Sequence, residues 1–178
     1  PASGETDGAT GCRFYDGGDM PCVQYAESLE QRQPLLVEGM ESRTNGESPG
    51  RFRSGFGITR KLRVLADTAE LNVMADRAVI PPWGATGSEP GIPNGVTVIR
   101  NGKEIMPSNI PGKIKSFTLE KGDVVVMQAA AGGGVGDPLD RDLSLVSQDL
   151  SKELITPQRA TETYGTVLDD GRIDTIKS

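Results

Sequence analysis

Residues 96–106 read VTVIRNGKEIM, and this stretch decides the fold class. Asn101-Gly102 lies between two segments of alternating character. An Asn-Gly pair in that setting is the strongest short-range hairpin signal, because both central turn residues must adopt positive φ. The stretch predicts strands over Val96–Arg100 and Lys103–Met106. Working outward, Ile58, Leu62, Val64, Leu71 and Val73 interleave with Arg60, Arg63 and Asn72 between Gly57 and Ala75. That is the period of half-buried strands, read as a pair turning near Asp67-Thr68. On the other side, Ile114–Leu119 and Val124–Gln128 flank Lys121-Gly122-Asp123 and predict a further pair.

The flanks read differently. Residues 1–23 are rich in Gly and Asp and irregular, with turn signals at Asp7-Gly8 and Asp16-Gly17-Gly18. Residues 24–33 fit a short helix or an extended arm, Leu35–Met40 a short strand, and 42–50 a loop. Pro81-Pro82-Trp83-Gly84 ends the alternation and opens a loop to Pro93. After Gly132-Gly133-Gly134 the pattern turns helical. Asp142 is placed to cap a helix bearing Leu143, Val146 and Leu150, and Thr156 to cap a second with Pro157 at its first position. Gly165 stands where a helix C-terminus favours a left-handed residue. The expected architecture is α+β: a mainly antiparallel β body over 1–141 and a small helical hairpin and tail over 142–178. It makes one domain, or part of a larger one.

Composition narrows the function. The 178 residues are 35% hydrophobic and 4% aromatic, with 23 Gly and 12 Pro. Such a chain builds a thin core and is expected to rest part of its apolar surface on a partner. Net charge is −6 and no basic stripe exists, which excludes nucleic acid as a partner. The longest apolar runs, Val124–Met127 and then Ala129–Ala131, fall far short of the ~20 residues of a membrane span. The opening PASGETDGATG has neither a basic nor an apolar segment, so no signal peptide is read and a cytoplasmic location is expected. With no histidine, neither a Ser-His-Asp nor a Cys-His nucleophile system can be assembled, nor a His/Cys zinc site. Cys12 and Cys22, ten residues apart, could form a disulfide, but with nothing pointing to secretion they read as reduced thiols.

Several segments carry two readings each. Gly132, Gly133 and Gly134 expose backbone N–H groups that can cradle an anion, or they permit a close approach of backbones. The run lacks the Lys of a Walker loop and the βαβ setting of a dinucleotide fingerprint. Arg51 and Arg53, at alternate positions, project to one side and form either a two-guanidinium grip on a carboxylate or phosphate, or a pair of surface charges. Asp76-Arg77 follows a strand end, where functional side chains are often placed, but a local ion pair explains them equally well. Trp83, the only tryptophan, lines a pocket, plugs a partner or packs under its loop. Asp16, Asp19, Asp137, Asp140 and Asp142 are oxygen donors for a divalent cation in principle. Capping and solvation account for them, and no metal site is assigned.

The ordered motifs go further than composition. GRFRSGFGITRKLRVL (50–65), MADR (74–77), PPWGATGSEPG (81–91), LEKGDVVV (119–126), GGGVGDPLDRD (132–142) and ETYGTVLDDGRID (162–174), with DGATGCRFYDGGDM and QPLLVEG upstream, resemble the C-terminal region of the hydantoinase B/oxoprolinase family. The family usually reads GGLG where this sequence has Ser54-Gly55-Phe56-Gly57, and four glycines where it has Ala131 and three. The resemblance implies a subunit, or a piece of one, of a multisubunit ATP-dependent enzyme that hydrolyses cyclic amides. The alternatives are the same piece of an ATP-dependent ketone carboxylase (acetone or acetophenone carboxylase type), or a non-catalytic scaffold. It implies a hydantoinase A-type partner that binds ATP and phosphorylates an unreactive carbonyl or enolate oxygen, making it reactive. It also implies an N-terminal remainder of the B-type subunit, with the divalent metal and its histidine ligands there. No cofactor is expected in this chain, its catalytic residues are not identified, and alone it is expected to be inactive.

Overall fold

The Asn101-Gly102 turn forms as its residues require. In a computed structural model of the chain, which describes residues 2, 5–8, 25–169 and 172–176, Asn101 has φ 53° and Gly102 φ 75°. They join β4 (Gly95–Arg100) to β5 (Lys103–Ile105) with Arg100 opposite Lys103. Outward from this hairpin lie β1 (Leu35–Ser42), β2 (Ile58–Val64), β3 (Thr68–Met74), β6 (Lys113–Glu120) and β7 (Val124–Gln128). A short helix, α1 (Ala26–Arg32), precedes β1. So residues 24–33 are helical over most of their length.

The strands exist where alternation places them, but two of the three expected pairings differ. One antiparallel sheet has the order β1-β2-β7-β4-β5, and β3 and β6 form a separate two-stranded ribbon. Thus β2 does not pair with β3, nor β6 with β7. Alternation states which residues face inward and is silent on the partner strand. The cause is a double crossover at one corner. The Val64 N–H donates to the Asp123 carbonyl and the Gly122 N–H to that of Val64, so both chains change layer side by side. Asp123, almost wholly buried, pins the corner. Its carboxylate accepts from Arg100 Nε at 2.9 Å and Nη2 at 2.7 Å, and from the Glu120 N–H at 2.9 Å. That arrangement holds the Asp123 carboxyl below the usual carboxylate range, chiefly through the Arg100 hydrogen bonds and against the effect of burial. Between the layers, Val64, Val96, Val98 and Val125 of the sheet meet Ile114 and Leu119 of the ribbon, with Leu71, Val73 and Phe117 around them.

The C-terminal part builds a second, smaller core. Asp142 caps α2 (Leu143–Ser151), accepting from the Ser144 N–H. Thr156 caps α3 (Pro157–Thr163), accepting from the Arg159 N–H. Val146, Ile155, Ala160 and Tyr164 close around Phe56, so the helical hairpin packs on the loop that precedes β2. Gly165, at φ 64°, ends the helical stretch as its position suggested. From there the expected helical tail is corrected. Thr166–Asp169 and Arg172–Ile176 form an antiparallel pair, β8 and β9, in keeping with the β-branched residues Thr166, Val167, Ile173, Thr175 and Ile176. Among the described residues no helix is long and apolar enough to cross a membrane.

Candidate functional site

The glycine-rich run is the hub of a loop cluster. Phe52 and Val135 exchange backbone hydrogen bonds of 3.0 and 2.9 Å, while the Ala85 N–H donates to the Gly134 carbonyl and the Gly136 N–H to that of Ala85. The Gly134 N–H donates to Ser48 Oγ at 2.9 Å. Segments 46–57, 82–91 and 129–138 are therefore laced together backbone to backbone. A Cβ on Gly133 would lie 2.4 Å from the Trp83 carbonyl oxygen, and one on Gly134 2.6 Å from that of Ser48. Glycine is needed here for close approach. The N–H groups of Gly134, Val135 and Gly136 all donate to protein acceptors, so they do not present an open anion nest. Gly132 is half-buried beside Gly91.

The two arginines of the RFR segment part company. Arg51 is exposed and its guanidinium lies 5.5 Å from the Phe52 ring centroid. Arg53 is buried, and its head group donates to Asp149 (Nε at 2.7 Å, Nη2 at 2.8 Å) and through Nη1 to the Ser54 carbonyl at 2.9 Å. The two-guanidinium grip does not form, because the neighbouring helix supplies a carboxylate to one arginine only. Asp149 also accepts from Arg141 Nη2 at 2.9 Å. Arg141 in turn donates to both carboxylate oxygens of Asp7, at 2.7 and 2.8 Å, and the Arg53 N–H donates to Asp7 at 3.0 Å. Two carboxylates and two guanidiniums thus share one buried site with balanced charge. Burial alone would lower the Arg141 pKa. The hydrogen bonds it donates to Asp7 and the attraction of Asp7 and Asp149 outweigh it, and the guanidinium is held more firmly protonated than usual.

A second polar contact lies on the same face of the helical hairpin. Glu47 has no exposed surface, and its Oε1 accepts from Arg159 Nε at 3.1 Å and from the Tyr164 hydroxyl at 3.2 Å. Burial and then the Glu47 carboxylate push the Tyr164 hydroxyl well above its ordinary pKa. Residues near the start of the chain close the cluster from outside: the Ala2 N–H donates to the Gly133 carbonyl and the Gly8 N–H to that of Arg53, both at 2.8 Å.

The remaining residues singled out from sequence lie apart from this network. Asp76 is exposed and ion-paired to Lys113 at 2.8 Å, and that hydrogen bond lowers its pKa. Arg77 adopts φ 58° and lays its guanidinium 4.2 Å from the Trp83 ring centroid. Trp83 is 67% exposed, which excludes the reading of a ring packed under its loop. Asp137 caps the 3-10 turn Pro138–Asp140 by accepting from the Leu139 N–H. Among the described residues no group of three or more His, Cys, Asp or Glu is placed to hold a metal ion. Cys12, Cys22, Asp16 and Asp19 lie outside the described residues.

Sequence reasoning missed Glu47, Arg141 and Asp149 as members of the network, and saw Asp7 only in a turn signal. For Asp149 a signal existed. It stands three residues after Val146 and beside Leu150, on the apolar stripe of α2, and a charge there marks a buried ion pair.

Comparison with known proteins places this geometry. The chain is 33% identical over 138 residues to an uncharacterised protein of Methanocaldococcus jannaschii, covering 78% of this chain and 24% of that protein. It is 31% identical over 181 residues to a Pseudomonas protein assigned to the B-type component of a D-/L-hydantoinase, covering 97% and 30%. It is 27% identical over 155 residues to the beta chain of the caprolactamase of Pseudomonas jessenii, covering 83% and 26%. The chain therefore spans 24 to 30% of the length of these relatives. The crystal structure of the ATP-dependent caprolactamase from Pseudomonas jessenii superposes with a TM-score of 0.72 at 27% identity, over 82% of this chain and 25% of that one. A nucleotide-free acetone carboxylase has the same fold, with a TM-score of 0.74 at 21% identity, over 98% and 27%. The family model for hydantoinase B/oxoprolinase matches residues 1–138, which takes in the sheet, the ribbon and the whole glycine-rich run, and on that match the chain belongs to the hydantoinase B/oxoprolinase family.

Proposed function

We propose that this chain is a site-completing portion of the B-type subunit in a cytoplasmic, multisubunit, ATP-dependent enzyme that hydrolyses cyclic amides. The observation that carries the reading is the state of its polar groups. Arg53, Arg141, Asp7 and Asp149 are consumed in holding three loops and the start of the chain in register, so this cluster supports the reading of a scaffold. Relatives above 25% identity are named for hydantoin and caprolactam hydrolysis, which favours an amide substrate. The likeness to acetone carboxylase is one of fold, so the ketone-carboxylase reading ranks second.

The glycine-rich run does not fit the phosphates of ATP. It has no Walker lysine, and its N–H groups from Gly134 to Gly136 are engaged within the fold. ATP binding is accordingly assigned to a hydantoinase A-type partner, and the divalent metal to the remainder of the B-type subunit. Native mass spectrometry of the purified assembly tests the composition, with an A-type chain and further B-type sequence expected alongside this region. Turnover assays test the chemistry. The 178-residue chain alone is expected to leave hydantoins, lactams and 5-oxoproline unchanged with ATP present, while the assembly opens one of them. ATP-dependent product from the chain alone would overturn the proposal.

A further inference from the structure

The loops at the β3 and β5 ends carry an apolar surface that the fold leaves uncovered. Val79, Ile80, Trp83, Met106 and Ile110 are each more than 60% exposed. Single exposed apolar residues are ordinary, whereas a contiguous patch on a soluble domain marks an interaction site. These residues belong to one neighbourhood. The Ala75 N–H donates to the Gly112 carbonyl, Gly112 packs on Ala78, and Asn94 ties the stretch down by donating to the Asp76 and Arg77 carbonyls. Beside Met106 and Ile110 opens an apolar cavity of about 200 Å³, lined also by Ala78, Val96 and Ile114 among others.

We infer that this surface is the seat of the remainder of the B-type polypeptide, whether joined to this chain or separate. The inference rests on the assembly proposed above. Three observations favour this occupant over an ATP-binding partner or a second copy. First, the chain spans only 24 to 30% of the length of its relatives, so most of a B-type polypeptide must pack against a portion like this one. Second, the exposed side chains of this surface are apolar, and the charged groups that flank Val79 and Ile80 are engaged within the fold. Asp76 is paired with Lys113, and Arg77 is stacked on Trp83. That suits a permanent interface resembling a divided core, in contrast to the charged rims of transient contacts. Third, Ala2 is hydrogen-bonded to the Gly133 carbonyl, and Gly133 lies against the Trp83 carbonyl. Ala2 thus lies at the foot of the Trp83 loop.

The test is photo-crosslinking in the native assembly, with benzoylphenylalanine placed at Ile80 or Ile110, and at Met40 on β1 as the control. Crosslinks from the first two positions are expected to reach B-type sequence outside this region, with none of that kind from Met40. Crosslinks to the ATP-binding partner or to a second copy of this chain would overturn the inference, as would none at all. As a second measurement, Val79→Asp and Ile80→Asp should lower recovery of the native assembly at least tenfold, while Met40→Asp leaves it unchanged. All three side chains are exposed, so unchanged thermal unfolding of the variants separates docking from folding. Equal recovery in all three variants rejects the surface. Failure of the assembly to open any cyclic amide, with the crosslinks in place, would fault the proposed reaction and leave the surface standing.

Discussion

The sheet-and-ribbon core and the loop cluster solve the same problem by opposite means. Between the layers, Val64, Val98, Val125, Ile114 and Leu119 are buried with apolar neighbours, and strand ladders satisfy the backbone. In the loop cluster the buried groups include Glu47, Arg53, Arg141 and Asp149, and backbone meets backbone through glycines. Apolar packing tolerates exchange of similar volumes. A buried charge network does not, because removing one member strands the others. The core thus supplies stability, and the cluster supplies a fixed arrangement of loops.

Asp149→Ala attacks that difference hardest. It leaves Arg53 and Arg141 without their shared carboxylate, and a loss of about 3–5 kcal/mol is expected for such a break, read by urea unfolding. A loss below that of a single core methyl pair would erase the contrast. Gly133→Val drives a side chain into the Trp83 carbonyl and should cost about 3 kcal/mol. It should also lower recovery of the assembled enzyme, whereas exposed Lys152→Ala stays within roughly 0.5 kcal/mol. Equal recovery for these two would reduce the run to an ordinary turn. In the core, Val98→Ala removes two buried methyls and should cost about 2 kcal/mol with the assembly intact, which sharpens the distinction.

The smallest effect is on pH. The folded Asp123 carboxyl titrates below its unfolded value, near 3.9, so the unfolded chain takes up the proton first. The stability it contributes is complete above about pH 5 and is lost as pH falls through the folded pKa. Asp123→Asn should flatten that acid limb in a series of melting temperatures while leaving the slope above about pH 6 unchanged.

The same contrast governs what the sequence disclosed. The Asn101-Gly102 hairpin, the Asp142 and Thr156 caps and the Gly165 stop were legible, because each depends on residues within a few positions. Strand partners were not. The crossover at Val64 and Asp123 is made by Arg100 reaching the corner from a third strand, and local alternation holds no trace of it. The loop cluster was legible in composition and not in wiring. Glycines and arginines announced a special segment, while their partners Asp7, Glu47 and Asp149 lie 46, 112 and 96 positions from Arg53, Arg159 and Arg53 in turn.

The pairing of Asp7 with Arg141 spans 134 positions, and this has a consequence for the order of synthesis. As the chain leaves the ribosome, the β4–β5 hairpin and then the whole sheet have all their strands before Arg141 appears. Closing so long a loop carries an entropic cost that grows with the logarithm of its length, and contacts this distant in sequence form late. Asp7 therefore waits for its guanidinium partner until the chain has grown past the glycine-rich run. A nascent chain interrupted between Gln128 and Arg141 would keep its sheet and lose the clamp on the segment around Asp7. The ion pair thus registers that synthesis has passed Arg141.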